Sequence, residues 1–300
     1  MLQMRVAGVV ALGKLREEGI FPGKGVGLEE MEGVVDGVVE RFLEERFLVS
    51  QGLGGLDLAG ELVDRALRTS DGEVMDEAGV PEGERLEMVR ALDRQNVMLG
   101  LYGRYVEILL PVIREIAAVE MRAVRVLELA CGTGGLALEL AVGSGELAVV
   151  TGSDVVPGFV EAGNLEAARR GLGVRFRVID AFGMEGVRVG EFDVVVVSQS
   201  LHHFSPGQLA VMIARAGRLG VKRFVGIDGY RSVLLAGGVP LIASLQGLGA
   251  FMLDGLTSAR KFYSEMELEI IAEIASGGGA YSVWCEWPFS VVDIVLSSEG

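Results

Sequence analysis

Basic residues are in short supply in this chain. Lys and Arg total 27 against 42 Asp and Glu, a formal net charge of −15. No cluster of Lys and Arg offsets the deficit, and so acidic a surface repels a phosphate backbone; nucleic acid is not an expected partner. Cysteine is scarcer still. Cys131 and Cys285 are the only two, far apart and in no metal-ligand spacing, which excludes a disulfide framework and reads as two reduced thiols in a cytoplasmic protein with no metal. A long unbroken hydrophobic run is also missing. The uncharged stretch from Val233 to Leu253 approaches the length of a membrane span, but Gly237, Gly238, Pro240, Gly247 and Gly249 break it, and it carries Ser244 and Gln246. It reads as a buried lid or interface, and no membrane is expected. The apolar start, Met1 to Leu12, is followed by Lys14 and by no small-residue cleavage site.

What the chain does have is apolar residues, 50% of 300, enough for one large α/β domain with an extension. From Gly27 to Val49, Leu28, Met31, Val34, Val35, Val38, Val39, Phe42 and Leu43 recur at helical spacing. Further helical patterns cover Glu84 to Leu99 and Tyr102 to Val119, with glycine joints near Gly52–Gly55 and Gly79–Pro81. The texture then changes. Ala123–Ala130, Leu147–Gly152, Val174–Ile179, Phe192–Ser198 and Phe224–Ile227 are apolar, β-branched runs separated by helix-length segments, which predicts a parallel sheet covered on both faces. Ala280–Glu286 and Phe289–Leu296 lie too close for a crossover and must pair as an antiparallel hairpin across Trp287–Pro288. The expected fold is α/β: a Rossmann-like, doubly wound sheet of seven strands, the last antiparallel, after an all-helical N-terminal cap. Residues 1–118 form the cap or dimerisation region, and 119–300 the sheet domain, with 233–262 inserted as a lid.

The strongest chemical signal runs from Val126 to Leu136, Val-Leu-Glu-Leu-Ala-Cys-Gly-Thr-Gly-Gly-Leu. A strand ends in a loop holding Gly132 and Gly134, which lets the backbone pass close beneath a ligand at the strand's carboxyl end. Asp154 ends the next strand, where a carboxylate can accept both hydroxyls of a ribose. By pattern alone, Gly132-x-Gly134-x-x-Ala137 also fits a dinucleotide fingerprint, so an NAD-dependent oxidoreductase competes. Glu128 separates the two readings. A carboxylate just before the loop repels a pyrophosphate but suits the cationic amino and sulfonium groups of S-adenosylmethionine.

With these residues in view, Glu128-Leu-Ala-Cys-Gly-Thr-Gly resembles motif I of class I S-adenosylmethionine-dependent methyltransferases, and Asp154 resembles their ribose-binding acid. Val178-Ile-Asp180-Ala181 is similar to the third-strand motif that meets the adenine. Phe192-Asp-Val-Val-Val-Val-Ser-Gln-Ser-Leu-His-His-Phe204 is similar to the fourth strand with its Leu-His-His-Phe tail. The resemblance spans residues 120 to 296. It implies a cofactor site made by Glu128, Ala130, Gly132, Thr133, Gly134, Asp154, Val155, Asp180, Ala181 and Ser198. A narrower likeness joins Met75-Asp76, Leu92-x-x-Gln-Asn96, Ile227-Asp-Gly-Tyr-Arg-Ser232 and Leu253-Asp-Gly-Leu-Thr-Ser-Ala-Arg260 to a bacterial group of small-molecule O-methyltransferases. Some of these are encoded beside polyketide or phenolic-lipid synthases, which implies phenolic acceptors. Lys261 and Phe262 stand where that pattern has Arg and Ala, which puts the matching of Arg260 in doubt.

Methyl transfer from a sulfonium needs alignment more than activation of the donor. A phenol, with a pKa near ~10, gains from a neighbouring base. The chain's two histidines, His202 and His203, sit together after the fourth strand and are the candidates, His203 first. Packing and backbone hydrogen bonding are the competing roles, and adjacent side chains on an extended segment cannot both face one pocket. Asp228 and Arg231 with Asp254 and Arg260 suggest an ionic network tying the lid to the sheet. Tyr102, Tyr105, Arg94 and Asn96 precede the first strand and are placed to close over the cofactor or to pack in the core. A homodimer is expected. A non-catalytic S-adenosylmethionine-binding protein is a third possibility.

Overall fold

The computed structural model describes residues 2–22, 26–77, 79–244 and 249–296. Five helices come first: α1 (Arg5–Glu17), α2 (Leu28–Leu53), α3 (Gly55–Leu67), α4 (Glu82–Met98) and α5 (Leu101–Glu120), with a short 3-10 turn at Val74–Asp76. Strand and helix then alternate as β1 (Val124–Leu129), α6 (Gly135–Ser144), β2 (Ala148–Asp154), α7 (Pro157–Arg170), β3 (Arg175–Val178), β4 (Val194–Ser198), α8 (Pro206–Arg218) and β5 (Arg223–Gly229). After the helices α9 (Val233–Ser244), α10 (Gly249–Lys261) and α11 (Glu265–Ala275), the chain closes with β6 (Tyr281–Glu286) and β7 (Phe289–Val295).

The seven strands form one sheet in the order β3-β2-β1-β4-β5-β7-β6. β7 runs antiparallel between β5 and β6, as the spacing of the terminal hairpin requires. The strand order reverses between β1 and β4, which pair in register from Val126 with Val194 to Leu129 with Val197. That switch point opens a crevice at the strands' carboxyl ends. Residues alternate between two cores. Leu127, Leu129, Val195, Val197 and Phe224 face α1, α2, α8 and α11, whereas Val124, Val126, Val194, Val196 and Val225 face α5, α6 and α7. Covering on both faces explains why β4 is an unbroken valine run with every residue buried.

Local signals set the helix ends. Ser205 and Gln208 close a capping box on α8, and Ser264 and Glu267 close another on α11. Pro157 starts α7, and Gly171 ends it in the left-handed region. The apolar start of the chain is the amphipathic helix α1, which buries Ala7, Ala11, Leu12 and Leu15. Far from standing apart, α1 and α2 share one hydrophobic core with α8, α11 and the sheet.

The stretch expected as a buried lid or interface is covered on one side only. α9 rests on α10 and buries only Ala236 and Ala243, while Leu234 and Leu241 stay 73% and 68% exposed. A helix packed on one partner hides one stripe, so its freedom from charge produces an open apolar face instead of a buried one. Gln246 and Gly247 lie outside the described residues. Among the described residues, no single helix is long and apolar enough to cross a membrane.

Candidate active site

β1 ends at Leu129, and the chain turns through Ala130, whose φ of 50° is left-handed, then Gly132 at 55° and Gly134 at 83°. A Cβ on Gly134 would overlap the Phe176 ring, so at this position both the conformation and the space demand glycine. The turn is clamped to the neighbouring strand: Cys131 N donates to Ser153 O at 2.9 Å, and Gly132 N donates to Asp154 Oδ2 at 2.9 Å. Asp154 Oδ1 accepts from Val156 N at 3.0 Å, so the carboxylate is fixed by backbone on both sides. Burial pushes its carboxyl above the usual range, against the pull of those hydrogen bonds.

Glu128 sits one residue before the end of β1 and is buried. Its Oε1 accepts from Ser198 Oγ at 2.7 Å, which joins the ends of β1 and β4 across the switch point. Its Oε2 is buried and makes no hydrogen bond of good geometry, although the Ala137 backbone N–H at the start of α6 is close to the carboxylate. Burial raises this carboxyl to about 8, with Ser198 and the Ala137 backbone N–H opposing and Asp93 and Asp154 adding to the rise. A buried carboxylate with one unsatisfied oxygen is costly unless a donor or cation meets it. Thr133, Gly132, Gly134, Asp154 and Ser198 thus gather at one crevice with Glu128. Val155 follows Asp154 and points out, 62% exposed. Ala181 is buried beyond β3, and the exposed Asp180 accepts from Phe182 N at 2.9 Å.

α4 lies over the glycine turn, with Val89 Cγ1 only 3.0 Å from where a Gly132 Cβ would stand. Asp93, which the motifs did not single out, accepts hydrogen bonds from both Thr133 Oγ1 and Tyr102 OH. Asn96 and Gln199 exchange amide hydrogen bonds at 2.6 and 3.2 Å, and Asn96 Nδ2 also reaches Tyr102 OH at 3.1 Å. Gln199 has a φ of 52°, so the chain leaves β4 through the same strained region as it leaves β1 at Ala130. Tyr102 and Asn96 therefore do close over the crevice. Tyr105 is a core residue instead, edge-on to Phe289 at 4.7 Å. A cavity of about 600 Å³ between α4, α6 and α7 has Asp93, Arg94, Tyr102 and Thr133 in its wall. It lacks Glu128, Asp154 and both histidines, so it flanks the crevice.

Beyond β4, His202 and His203 meet three carboxylates. Asp228 Oδ2 holds His202 twice, accepting from its backbone N at 2.9 Å and lying 2.8 Å from Nδ1. Glu73 faces both rings: Oε1 is 3.3 Å from His202 Nε2 and Oε2 is 3.6 Å from His203 Nε2. His203 Nδ1 lies 3.0 Å from Asp76 Oδ2. Burial alone would lower the His202 pKa, but Asp228 and Glu73 overcome it and raise it to about 10. In the protein without a bound cation these two carboxylates favour the protonated ring, which works against His202 as a general base. Glu73 is drawn down to about 2, its burial outweighed by His202, His203 and Ser258. Glu73 carries no local signature; α10 delivers it, because Asp254 accepts from Val74 N at 2.5 Å and Met75 N at 3.0 Å, and Ser258 Oγ donates to Glu73 Oε1 at 2.9 Å.

The ionic network expected among Asp228, Arg231, Asp254 and Arg260 exists with other partners. Arg231 Nε binds Asp64 of α3 at 2.5 Å, and its Nη1 donates to the carbonyls of Arg260 and Phe262, each at 2.8 Å. Arg260 Nε donates to Leu67 O at 2.9 Å. The cap supplies the acids because α3 lies between the end of β5 and the end of α10.

Comparison with known proteins agrees with this geometry. A family model described as a methyltransferase domain matches residues 126–222. Over 115 residues the chain is 36% identical to the demethylmenaquinone methyltransferase of Thermus thermophilus, which is 36% of this chain and 50% of that protein. The chain thus spans about half the length of this curated relative. Two solved structures share the fold. The plantazolicin methyltransferase BamL, in complex with a triazolic desmethylPZN analog and SAH, is 11% identical with a TM-score of 0.55, covering 73% of this chain and 92% of its own. The plantazolicin methyltransferase BpumL, in complex with SAH, is 11% identical with a TM-score of 0.53, covering 78% of this chain and 96% of its own.

Proposed function

We propose that this chain, a member of the class I S-adenosylmethionine-dependent methyltransferase superfamily, moves a methyl group from S-adenosylmethionine to a hydroxyl or phenol of a small molecule. The observation that carries the reading is Glu128, a buried carboxylate just before the glycine turn whose Oε2 makes no full hydrogen bond and which has only the Ser198 hydroxyl and the Ala137 backbone N–H to oppose its burial. An ammonium or sulfonium satisfies that oxygen, and a pyrophosphate does not. When bound, S-adenosylmethionine supplies a methyl group already activated on sulfur. The chain's part is to hold, align and exclude water. Asp154 takes the ribose hydroxyls, Gly132 and Gly134 let the backbone approach, Asp180 and Ala181 border the adenine, Ser198 fixes Glu128, and Thr133 ties the glycine turn to Asp93. Ala130 and Val155 contribute backbone at the ends of the turn. The acceptor lies past β4, where His203, the more open imidazole, positions the accepting oxygen. The name of the Thermus relative supports a small molecule as the acceptor class. A cytoplasmic homodimer that binds no nucleic acid completes the reading, and sedimentation velocity at micromolar concentration tests the dimer.

Calorimetry with S-adenosylhomocysteine tests the site. Asp154→Ala is expected to weaken binding by about 1–3 kcal/mol through lost charge-assisted hydrogen bonds. Unchanged affinity in that variant overturns the assignment. In a thermal-shift comparison, stabilisation by NAD(H) instead of S-adenosylhomocysteine would favour an oxidoreductase.

A further inference from the structure

We infer that Glu73, His202 and His203 form a binding site for one divalent first-row transition metal ion of the zinc type. The site departs from the expectation that this chain needs no metal, and it does not depend on the methyl-transfer reading. One donor atom from each of the three side chains lies within 4.8 Å of the other two. The cluster sits on the inner side of the lid, past the carboxyl end of β4.

Several independent features of the geometry point to a cation. Each imidazole is held from behind by a carboxylate at Nδ1, His202 by Asp228 at 2.8 Å and His203 by Asp76 at 3.0 Å. That arrangement fixes the ring and directs Nε2 forward, the way metal-bound histidines are held by their outer partners. Both Nε2 atoms are directed at the Glu73 carboxylate, at 3.3 and 3.6 Å. In a tetrahedral site with bonds of about 2.0–2.1 Å, neighbouring donors stand roughly 3.3–3.4 Å apart. The observed gaps, each to a different Glu73 oxygen, are close to that edge, and the three donors need to draw together only from within 4.8 Å. His202 is only 6% exposed, and its buried Nε2 faces Glu73 Oε1 without a hydrogen bond of good geometry. Glu73 Oε1, the oxygen that faces His202, also accepts from Ser258 Oγ at 2.9 Å. Both imidazoles are satisfied at Nδ1 and turn Nε2 toward Glu73.

The donor set selects the ion. Two imidazoles and a carboxylate suit zinc, cobalt, nickel or iron(II), and they are a poor match for magnesium or calcium, which take oxygen shells. Three protein ligands leave a fourth position for an oxygen from solvent or from an acceptor, the pattern of an open site and not of a closed structural one.

The test uses the untagged full chain, stripped with a chelator and titrated with Zn(II) by calorimetry and with Co(II) by visible spectroscopy. One equivalent per chain is expected, with the ligand-field bands of a four- or five-coordinate cobalt site. His203→Ala, which removes the partly open ligand, is expected to weaken binding by at least ~100-fold while the thermal unfolding midpoint of the metal-free protein stays close to wild type. Asp76→Asn, acting through His203, should weaken it by about 10–100-fold. Mg(II) at the same concentrations should give no heat. Failure to bind one equivalent of either Zn(II) or Co(II), or binding that His203→Ala leaves unchanged, overturns the inference. Binding of S-adenosylhomocysteine in the same preparations is a separate readout, so this result and that for the cofactor crevice are told apart.

Discussion

Arg231 and Asp64 stand 167 residues apart in the chain and meet in a buried pair, Nε to Oδ1 at 2.5 Å. Asp64 Oδ2 is shared between Arg46 at 2.5 Å and Arg68 at 2.9 Å. One carboxylate on α3 thus serves three guanidiniums, from α2, the end of α3 and the end of β5. Asp64→Ala would leave two fully buried guanidiniums, Arg46 and Arg231, short of countercharge. A loss of about 3–5 kcal/mol is expected, because removing one partner of a buried pair strands the other. The urea midpoint of the full chain reads this directly, and a change below about 1 kcal/mol, the range of surface pairs, contradicts it.

The same cluster sets a lower pH limit. Burial alone would raise the Glu267 carboxyl, but the charge and hydrogen bonds of Arg68, with Arg231 and Arg46 behind it, hold it far below its ordinary 4.5. Arg68 reaches both of its oxygens, at 2.8 and 3.0 Å. A depressed carboxyl contributes stability that is fully present above the unfolded value and is lost as pH falls through 4.5 toward the folded one. The unfolding midpoint should therefore drop steeply below pH ~4.5 in the wild type, and Glu267→Gln should flatten that slope while lowering stability near neutrality. Parallel curves for the two proteins refute the assignment.

How far these features could be read in the sequence depends on the range of the forces that set them. The strands and the glycine turn were legible, because alternation, valine runs and the Gly132–Gly134 pair act within a few residues. Asp154 and Glu128 were found for the same reason, each lying next to a strand end. Glu73, Asp64 and Asp93 were not. Each stands in a stretch where an acidic residue looks like ordinary solvated surface, and only the docking of α10, β5 or the glycine turn against it reveals a partner. His202 shows the limit most clearly. Its position after β4 was plain, but its proton affinity depends on Asp228 and Glu73, which are 26 and 129 residues away. Residues 233–244 were expected to be a buried lid or an interface, and lack of charge could not tell the two apart because it says nothing about how many neighbours a helix has.

Glu128 supplies a second pH effect, opposite in sign to the first. Burial lifts its carboxyl from 4.5 to about 8 in the protein without cofactor. A raised carboxyl favours the folded state at low pH, and that contribution is lost as pH rises from 4.5 through about 8. The groups around it, Asp93 on α4, Asp154 on β2, Ser198 on β4 and the Ala137 backbone N–H on α6, include no cation. Binding of a cationic donor requires the ionised form. S-adenosylmethionine affinity should therefore climb about tenfold per pH unit below pH ~8 and level off above it, with one proton released per molecule bound. Calorimetry in two buffers of different ionisation enthalpy counts that proton. Glu128→Gln should abolish the release and weaken binding; a flat profile in the wild type would sink the role given to Oε2.

α4 blocks the way into the crevice, and its hold is polar. Asn96 exchanges two hydrogen bonds with Gln199, and Asp93 accepts from Thr133 and Tyr102, so the helix is tied to the ends of both strands at the switch point. A cofactor lying over Gly132 and Gly134 must displace Val89, which stands against Gly132. Asn96→Ala removes the tie to β4 and leaves the one to the glycine turn. Hydrogen exchange of the α4 amides should quicken by roughly 5–30-fold in this variant, the equivalent of about 1–2 kcal/mol of local opening. S-adenosylhomocysteine should enter and leave the variant faster in stopped flow, since a loosened helix opens more often, while Asp154 and Glu128 still hold the ligand once it is seated. If both rates match the wild type, the cofactor enters by another route and α4 is a fixed wall.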